Sequence, residues 1–174
     1  MQQVHGSRVV VVGKKDKGKV IPNCDGLITD DPELKLVVRT ADCLPIFVTD
    51  KKGLIHGVIH AGWRGLHKKI IKMAVALIDR KFKIRPSELK IDIGPHICFR
   101  HYEIKDDVAR FFDEAVIRGN KKYLDLGAVA KNQLLNLGVF NKNIRIDKKC
   151  TFESGDLFSY RRDKTGGRNH YCLD

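Results

Sequence analysis

Seven short runs rich in valine and isoleucine, each closed off by Gly, Pro, Asn or Asp, constrain the fold of this chain more than anything else in it. They are RVVVV (8–12), DGLIT (25–29), KLVVRT (35–40), PIFVTD (45–50), LIHGVIH (54–60), LKIDIG (89–94) and NIRID (143–147). β-Branched runs of this length between turn formers read as strands. Five of them precede any helical pattern, and three helical patterns then separate the rest. In the first, Leu66, Ile70, Met73, Ala74, Leu77 and Ile78 recur at helical spacing, which predicts one helix opening near Leu66. The second starts at an Asp106 cap and carries Val108, Phe111, Phe112, Ala115 and Val116. The third runs from Asp125 through Leu126, Val129, Ala130, Leu134 and Leu137, with Gly138 as its stop. Neighbouring strands followed by interleaved helices predict an α+β fold, a mixed β-sheet covered by helices on one face, rather than a doubly wound parallel sheet.

With 174 residues, 43% of them hydrophobic, the chain can bury one sizeable core, and we expect a single domain over 1–174. No apolar run approaches the roughly 18 residues that span a bilayer, and MQQVHGSR lacks the apolar core of a signal peptide. A cytoplasmic protein with no membrane partner is expected. Five cysteines (Cys24, Cys43, Cys98, Cys150, Cys172) are scattered without a CxxC pair, which argues for free thiols over a disulfide framework or a four-cysteine zinc site. A net charge of +12 raises nucleic acid as a partner. The Lys and Arg residues are spread along the chain, in local runs such as KKDKGK (14–19) and KKYLD (121–125), without an aromatic-interleaved recognition motif. Nucleic acid is therefore not expected, whereas small anionic substrates suit such a field.

Chemistry-bearing residues gather at strand ends. HAGWRG (60–65) places His60 at the exit of an apolar strand, followed by Gly62 and Gly65, which would allow a tight turn onto a helix start that offers free amides to an anion. Arg64 offers a bidentate clamp for phosphate or carboxylate, and Trp63, the single tryptophan, a stacking face. RTADCLP (39–45) likewise presents Arg39, Asp42 and Cys43 ahead of Pro45, and QQVHGSR (2–8) puts His5 before a strand. Two imidazoles and one thiolate form a coherent zinc set with a fourth position open, and the same residues equally form a cysteine nucleophile with a base. His56 shares a strand face with His60 but lies about 13 Å along it, which favours His5 as the third ligand.

Taken in order, QVHG, CDGLIT, RTADCLP, HAGWRG, GPHI with HYEI, CTFES and FSYRRD resemble the YfiH-like, laccase-domain family, whose bacterial members go under the names polyphenol oxidase and purine nucleoside phosphorylase. The resemblance runs from Gln3 to about Arg168. It implies mixed sheets similar to the catalytic domain of cytotoxic necrotizing factor, and zinc on His5, Cys43 and His60, with copper as the lesser alternative. It also implies phosphorolysis of adenosine, inosine, guanosine and methylthioadenosine, so that purine nucleosides and phosphate are the partners, together with deamination of adenosine. Cys43, His60 and Asp42 then stand as catalytic candidates, Asp42 as an acid/base or as the group that orients a ligand. Arg39, Arg64 and Gly62 stand as the phosphate and substrate side. Asp25 reads equally as a turn residue, and Arg161 and Arg162 as anion contacts or internal salt bridges.

Members of that family carry several dozen residues ahead of QVHG, where this sequence has two before Gln3, so the strands they add to the sheet and pocket wall are expected to be missing. The TGR element reads TGGR (165–168), and the tail NHYCLD reads as short and polar. Three other functions bear weighing. Laccase chemistry calls for paired HxH motifs, and none of the seven histidines forms one. A cysteine hydrolase, such as an enzyme that edits peptidoglycan precursors, would use Cys43 as the nucleophile. A non-enzymatic binding module would fold without turnover. The joint signature of nucleobase deaminases, HxE with PCxxC, is absent, since no PCxxC occurs.

Overall fold

A computed structural model describes residues 1–173. Its strands are β1 (Val9–Val11), β2 (Gly26–Thr29), β3 (Leu36–Thr40), β4 (Leu44–Asp50), β5 (His56–Ala61), β6 (Leu89–Ile93), β7 (Glu103–Ile104), β8 (Ala115–Arg118), β9 (Lys121–Leu124), β10 (Ile144–Ile146) and β11 (Asn169–Leu173). The helices are α1 (Trp63–His67), α2 (Ile70–Phe82), α3 (Asp106–Ala109), α4 (Leu126–Asn136) and α5 (Tyr160–Asp163). Among the described residues a six-stranded mixed sheet runs in the order β1-β2-β5-β4-β6-β10, beside a β3-β11 ribbon and a three-stranded sheet β7-β9-β8. The α+β architecture with a mixed sheet under helices is as expected.

Alternation along the strands sends side chains to two cores. Ile28, Ile46, Ile59, Ile91 and Ile93 face one way and pack with Ile70, Ala74 and Ile78 of α2 and Val129, Ala130 and Leu134 of α4. Leu27 and Val58 face the other way, onto Leu36 and Val38 of β3 with Tyr171 and Leu173 of β11 beside them. The sheet is thus the middle of three layers. Packing both faces also explains why β2 and β4 read as continuous apolar runs rather than alternating ones.

Four local readings need correction. The helix expected to open near Leu66 is two helices, because Lys69 takes a left-handed conformation (φ 60°) between them. α1 packs on β5, whereas α2 packs on β1 and β2, so one straight helix would not meet both. The helix expected from Asp106 to Val116 ends at Ala109, and Ala115 and Val116 lie in β8. There the two-residue Gly119-Asn120 loop, with Gly119 at φ 58°, closes a β8–β9 hairpin and overrides the helical spacing of the apolar residues. The KKYLD stretch, read as a charge run, supplies β9. The polar-looking tail is β11, antiparallel to β3, with Tyr171 and Leu173 turned to the core and His170 and Cys172 to solvent. Asp125 caps α4 by accepting from the Ala128 amide at 2.8 Å, and Gly138 follows with φ 92°.

Candidate functional site

β2 and β5 run antiparallel with Gly26 opposite Ile59, so one step back sets Asp25 opposite His60 on the ribbon-facing side of the sheet. The His60 amide donates to the Asp25 carbonyl at 2.7 Å, and the side chains meet with His60 Nδ1 2.8 Å from Asp25 Oδ1. A carboxylate can only accept, so Nδ1 carries a proton, and the lone pair of the neutral imidazole, the form that binds a metal, falls on Nε2. The buried Asp25 carboxylate also accepts from the amides of Val4 (3.2 Å), His5 (2.9 Å) and Gly6 (2.8 Å). Burial pushes this carboxyl up, yet the bonds from His60, Gly6 and Val4 outweigh it and hold Asp25 below the usual carboxylate value.

Those three amides set the QVHG loop. His5 is left-handed (φ 55°), a conformation costing about 1–2 kcal/mol for a residue with a Cβ, and the convergence of its neighbours on Asp25 imposes it. Gln3 completes the anchorage: its Nε2 donates to the Arg39 carbonyl at 2.7 Å and its Oε1 accepts from the Arg39 amide at 3.0 Å, as a neighbouring strand would. His5 is thereby fixed beside His60, their rings edge to face at 4.7 Å and 82°.

Cys43 enters from the start of β4. One donor atom each from His5, Cys43 and His60 lies within 4.8 Å of the other two. Burial pushes the Cys43 thiol up, but hydrogen bonding and charge from His5 and His60 prevail and bring it down to about 7. His60 moves the opposite way: burial lowers it, while Asp25 and Cys43 raise it to about 9. Two imidazoles, one oriented by Asp25 through its Nδ1, and an acidic thiol are a donor set that fits a divalent ion such as zinc, which would displace the proton from His60 Nε2 and leave one tetrahedral position over.

The glycines of HAGWRG act through space rather than through a turn. Gly62 caps α1 at φ −85°, an ordinary conformation, but a Cβ there would stand 2.6 Å from Cys43 Sγ. A Cβ on Gly65 would approach the Gly6 carbonyl to 3.3 Å. The helix begins at Trp63, not near Leu66, and its five residues leave anion binding to side chains. Arg64 lays its guanidinium over the Trp63 ring at 4.4 Å, and Trp63 stacks on Phe111 at 6.3 Å and 14°.

These residues open onto a cleft of about 910 Å³, within the roughly 300–1,000 Å³ usual for small-molecule sites. His5, Arg39, Asp42, Cys43, His60, Gly62 and Arg64 all line it, so the structure brings these seven sequence candidates together. Tyr102, Tyr160, Arg161, Lys164 and Arg168 form the facing wall. Arg161 sits over Tyr102 at 5.1 Å and donates to the Glu103 carbonyl at 2.8 Å. Burial, and then the negative charge of Cys43, drive the Tyr102 phenol well above its ordinary value, so it stays protonated at neutral pH.

Asp42 needs reassignment. Its carboxylate accepts from Thr151 Oγ1 at 2.7 Å and from the Arg161 amide at 2.6 Å, so it ties the facing wall to the start of β4. The group that orients a candidate ligand is Asp25, whose place opposite His60 becomes visible only with the strand register. Arg162 is an internal clasp, donating to the carbonyls of Thr151, Phe152, Ser154 and Leu157 and pairing with Asp163. His56 is engaged elsewhere, its Nε2 2.9 Å from the Leu34 carbonyl.

Residues 1–173 match the family model described as multi-copper polyphenol oxidoreductase laccase. The Campylobacter jejuni protein named purine nucleoside phosphorylase Cj1217c is 34% identical over 173 residues, which cover 97% of this chain and 73% of that protein. Purine nucleoside phosphorylase YlmD of Geobacillus stearothermophilus is 35% identical over 187 residues, 96% of this chain and 68% of its own. The YlmD crystal structure superposes with a TM-score of 0.93 at 32% identity, over 98% of this chain and 70% of that one. That of Bacillus licheniformis YfiH gives 0.89 at 28% identity, over 97% and 70%.

Proposed function

Because the chain belongs to this laccase-type, YfiH-like family, we propose that it is a zinc-dependent purine nucleoside phosphorylase, cleaving adenosine, inosine, guanosine and methylthioadenosine with phosphate to base and sugar 1-phosphate. The observation that carries the reading is the composition of one cleft, where a His–Cys–His donor set lies beside Arg39, Arg64, Arg161, Lys164 and Arg168 and the aromatic faces of Trp63 and Tyr102. The names of the relatives supply the substrate class. In phosphorolysis a phosphate oxygen bonds to ribose C1′ as the bond from C1′ to the purine nitrogen breaks, and the base departs with a proton. Zinc bound by His5, Cys43 and His60 would supply a Lewis acid with an open position. The arginines gather and orient the phosphate, since guanidinium forks match its oxygens. Tyr102 presents a hydroxyl able to donate to the substrate, and Asp25 keeps the proton on His60 Nδ1. Deamination of adenosine belongs to the same proposal and needs no phosphate.

Chromatography of adenosine incubated with zinc-loaded protein and phosphate tests it, wild type beside Cys43→Ala. Adenine with ribose 1-phosphate from the wild type alone is the expected result; intact nucleosides across all four substrates reject phosphorolysis. Inosine formed without phosphate would mark the deaminase reaction.

A second reading has one observation in its favour: Asp25, His60 and Cys43 also stand as orienter, base and nucleophile, with the thiol near neutrality. A hydrolase of that kind works without metal, so activity surviving complete zinc removal would favour it. Copper, named in the family's description, remains the alternative ion at the same three residues, and metal analysis of protein purified without added metal decides between them.

A further inference from the structure

We propose that Cys98, His101, Cys150 and Glu153 form a second, structural metal site that takes zinc and braces the wall of the cleft. One donor atom from each of the four lies within 4.8 Å of the other three. His101 Nδ1 is 3.4 Å from Cys98 Sγ, 3.8 Å from Cys150 Sγ and 3.4 Å from Glu153 Oε1, and Cys98 Sγ is 3.9 Å from that same oxygen. Ligands placed tetrahedrally around zinc at ordinary bond lengths stand about 3.5 Å apart for sulfur and nitrogen, about 3.3 Å for nitrogen and oxygen, and about 3.6 Å for sulfur and oxygen. The side chains are already arranged nearly as an ion would hold them.

The sequence supports this independently of the geometry. Cys98 and His101 belong to CFRH, Cys150 and Glu153 to CTFE, and each pair keeps the two-residue interval with which structural zinc sites take two ligands from one turn. Supporting contacts are in place as well. The Cys98 amide donates to Cys150 Sγ at 3.2 Å, the type of bond that steadies a ligating thiolate, and His101 stacks on Phe152 at 4.4 Å and 14°, which fixes its ring. Two thiolates and a carboxylate around a divalent ion leave one negative charge, and the Arg100 guanidinium, 2.8 Å from Glu153 Oε1, cancels it. A Cys98–Cys150 disulfide is the competing use of the two sulfurs, but it gives no role to His101 and Glu153.

The position explains what such an ion would do. Cys98 and His101 follow β6, while Cys150 opens the turn that Arg162 clasps and pairs with His96 in an isolated bridge. Tyr102, beside His101, and Thr151, beside Cys150, then meet the cleft, the first as wall and the second through Asp42. The ion would therefore act on substrate binding through Tyr102 and Arg161. Whether the four residues bind an ion does not rest on the reaction proposed above.

Cobalt is the probe, added alone to Cys43→Ala protein reduced with a phosphine, so that the first cluster contributes no thiolate. The expected result is one tightly bound cobalt with a sulfur-to-metal charge-transfer band and tetrahedral visible bands, lost on adding Cys98→Ser. Because Cys150 is buried and its replacement can unfold the chain, His101→Ala and Glu153→Gln serve as further variants, with circular dichroism to confirm folding. These should shift the visible bands and weaken binding at least tenfold. No band in Cys43→Ala, or a band indifferent to Cys98→Ser, overturns the proposal. So does a mass two hydrogens short that returns after reduction and reoxidation, which would assign the sulfurs to a disulfide.

Discussion

The two sulfur–imidazole clusters lie on one molecule and are built on opposite plans. His5, Cys43 and His60 come from three distant segments and meet only because β2, β4 and β5 pair in a fixed register, whereas Cys98, His101, Cys150 and Glu153 come as two local pairs on two turns. The first leaves a position open onto a cleft of about 910 Å³; the second has four donors and closes on itself. Open coordination suits chemistry and closed coordination suits structure. The contrast teaches that a fold can use a whole sheet to place three candidate ligands and two turns to place four.

Substitutions at each cluster should part along that line. The largest effect is expected at Cys43, where Cys43→Ala should lower kcat/KM for nucleoside phosphorolysis by on the order of 10³-fold or more, since groups acting as a unit fail together. Cys98→Ser should instead leave kcat nearly unchanged and raise KM; an equal collapse at both would erase the distinction drawn here. Gly62→Ala comes next. Its Cβ would meet Cys43 Sγ at 2.6 Å, so metal binding to the first cluster should fall sharply while cobalt binding to the second is untouched, read by titrating each cluster in turn.

Asp25→Asn should follow, costing roughly 10–100-fold in metal affinity or activity because His60 loses the partner that fixes its proton. It should also lower stability by about 1–3 kcal/mol through the amides left poorly paired, measured by denaturant unfolding. Asp163 sets the smallest effect. The hydrogen bond from Arg162 holds its carboxyl below the ordinary value, so the unfolded chain binds the proton more readily. That contribution is present above the unfolded pKa of about 3.9 and is lost as pH falls through the folded value. Asp163→Asn should flatten the acid side of the stability curve slightly, and a curve identical to wild type would detach the Arg162 clasp from this pair.

The same contrast decides what could be read without coordinates. His5, Cys43 and His60 stand out because each sits at one end of an apolar strand run with Gly or Pro nearby, and the cleft holds all three. Asp25 did not, since its place opposite His60 depends on the register of β2 against β5, which no local pattern encodes. Asp42 sat in the more conspicuous motif and proved to be an anchor for Thr151 and Arg161. The second cluster is written in the sequence as CFRH and CTFE, mixed ligand pairs that keep the spacing of CxxC without matching it. In the fold, the strands followed from Val and Ile runs. The β8–β9 hairpin was hidden by apolar residues that keep a helical interval across a turn, and β11 by a polar residue at every second position facing solvent.

One carboxylate has a consequence for how this chain can change over generations. Asp25 holds three consecutive amides of the QVHG loop and the imidazole of His60 at once, so residues at the two ends of the site share a single support. A replacement at position 25 alters both histidines in the same step, and no second mutation at either histidine restores the other. Positions 5, 25 and 60 are therefore coupled: a library that varies position 25 should impair both histidines together, whereas Val4, which contributes its backbone amide to the support, should tolerate other residues with proline as the exception.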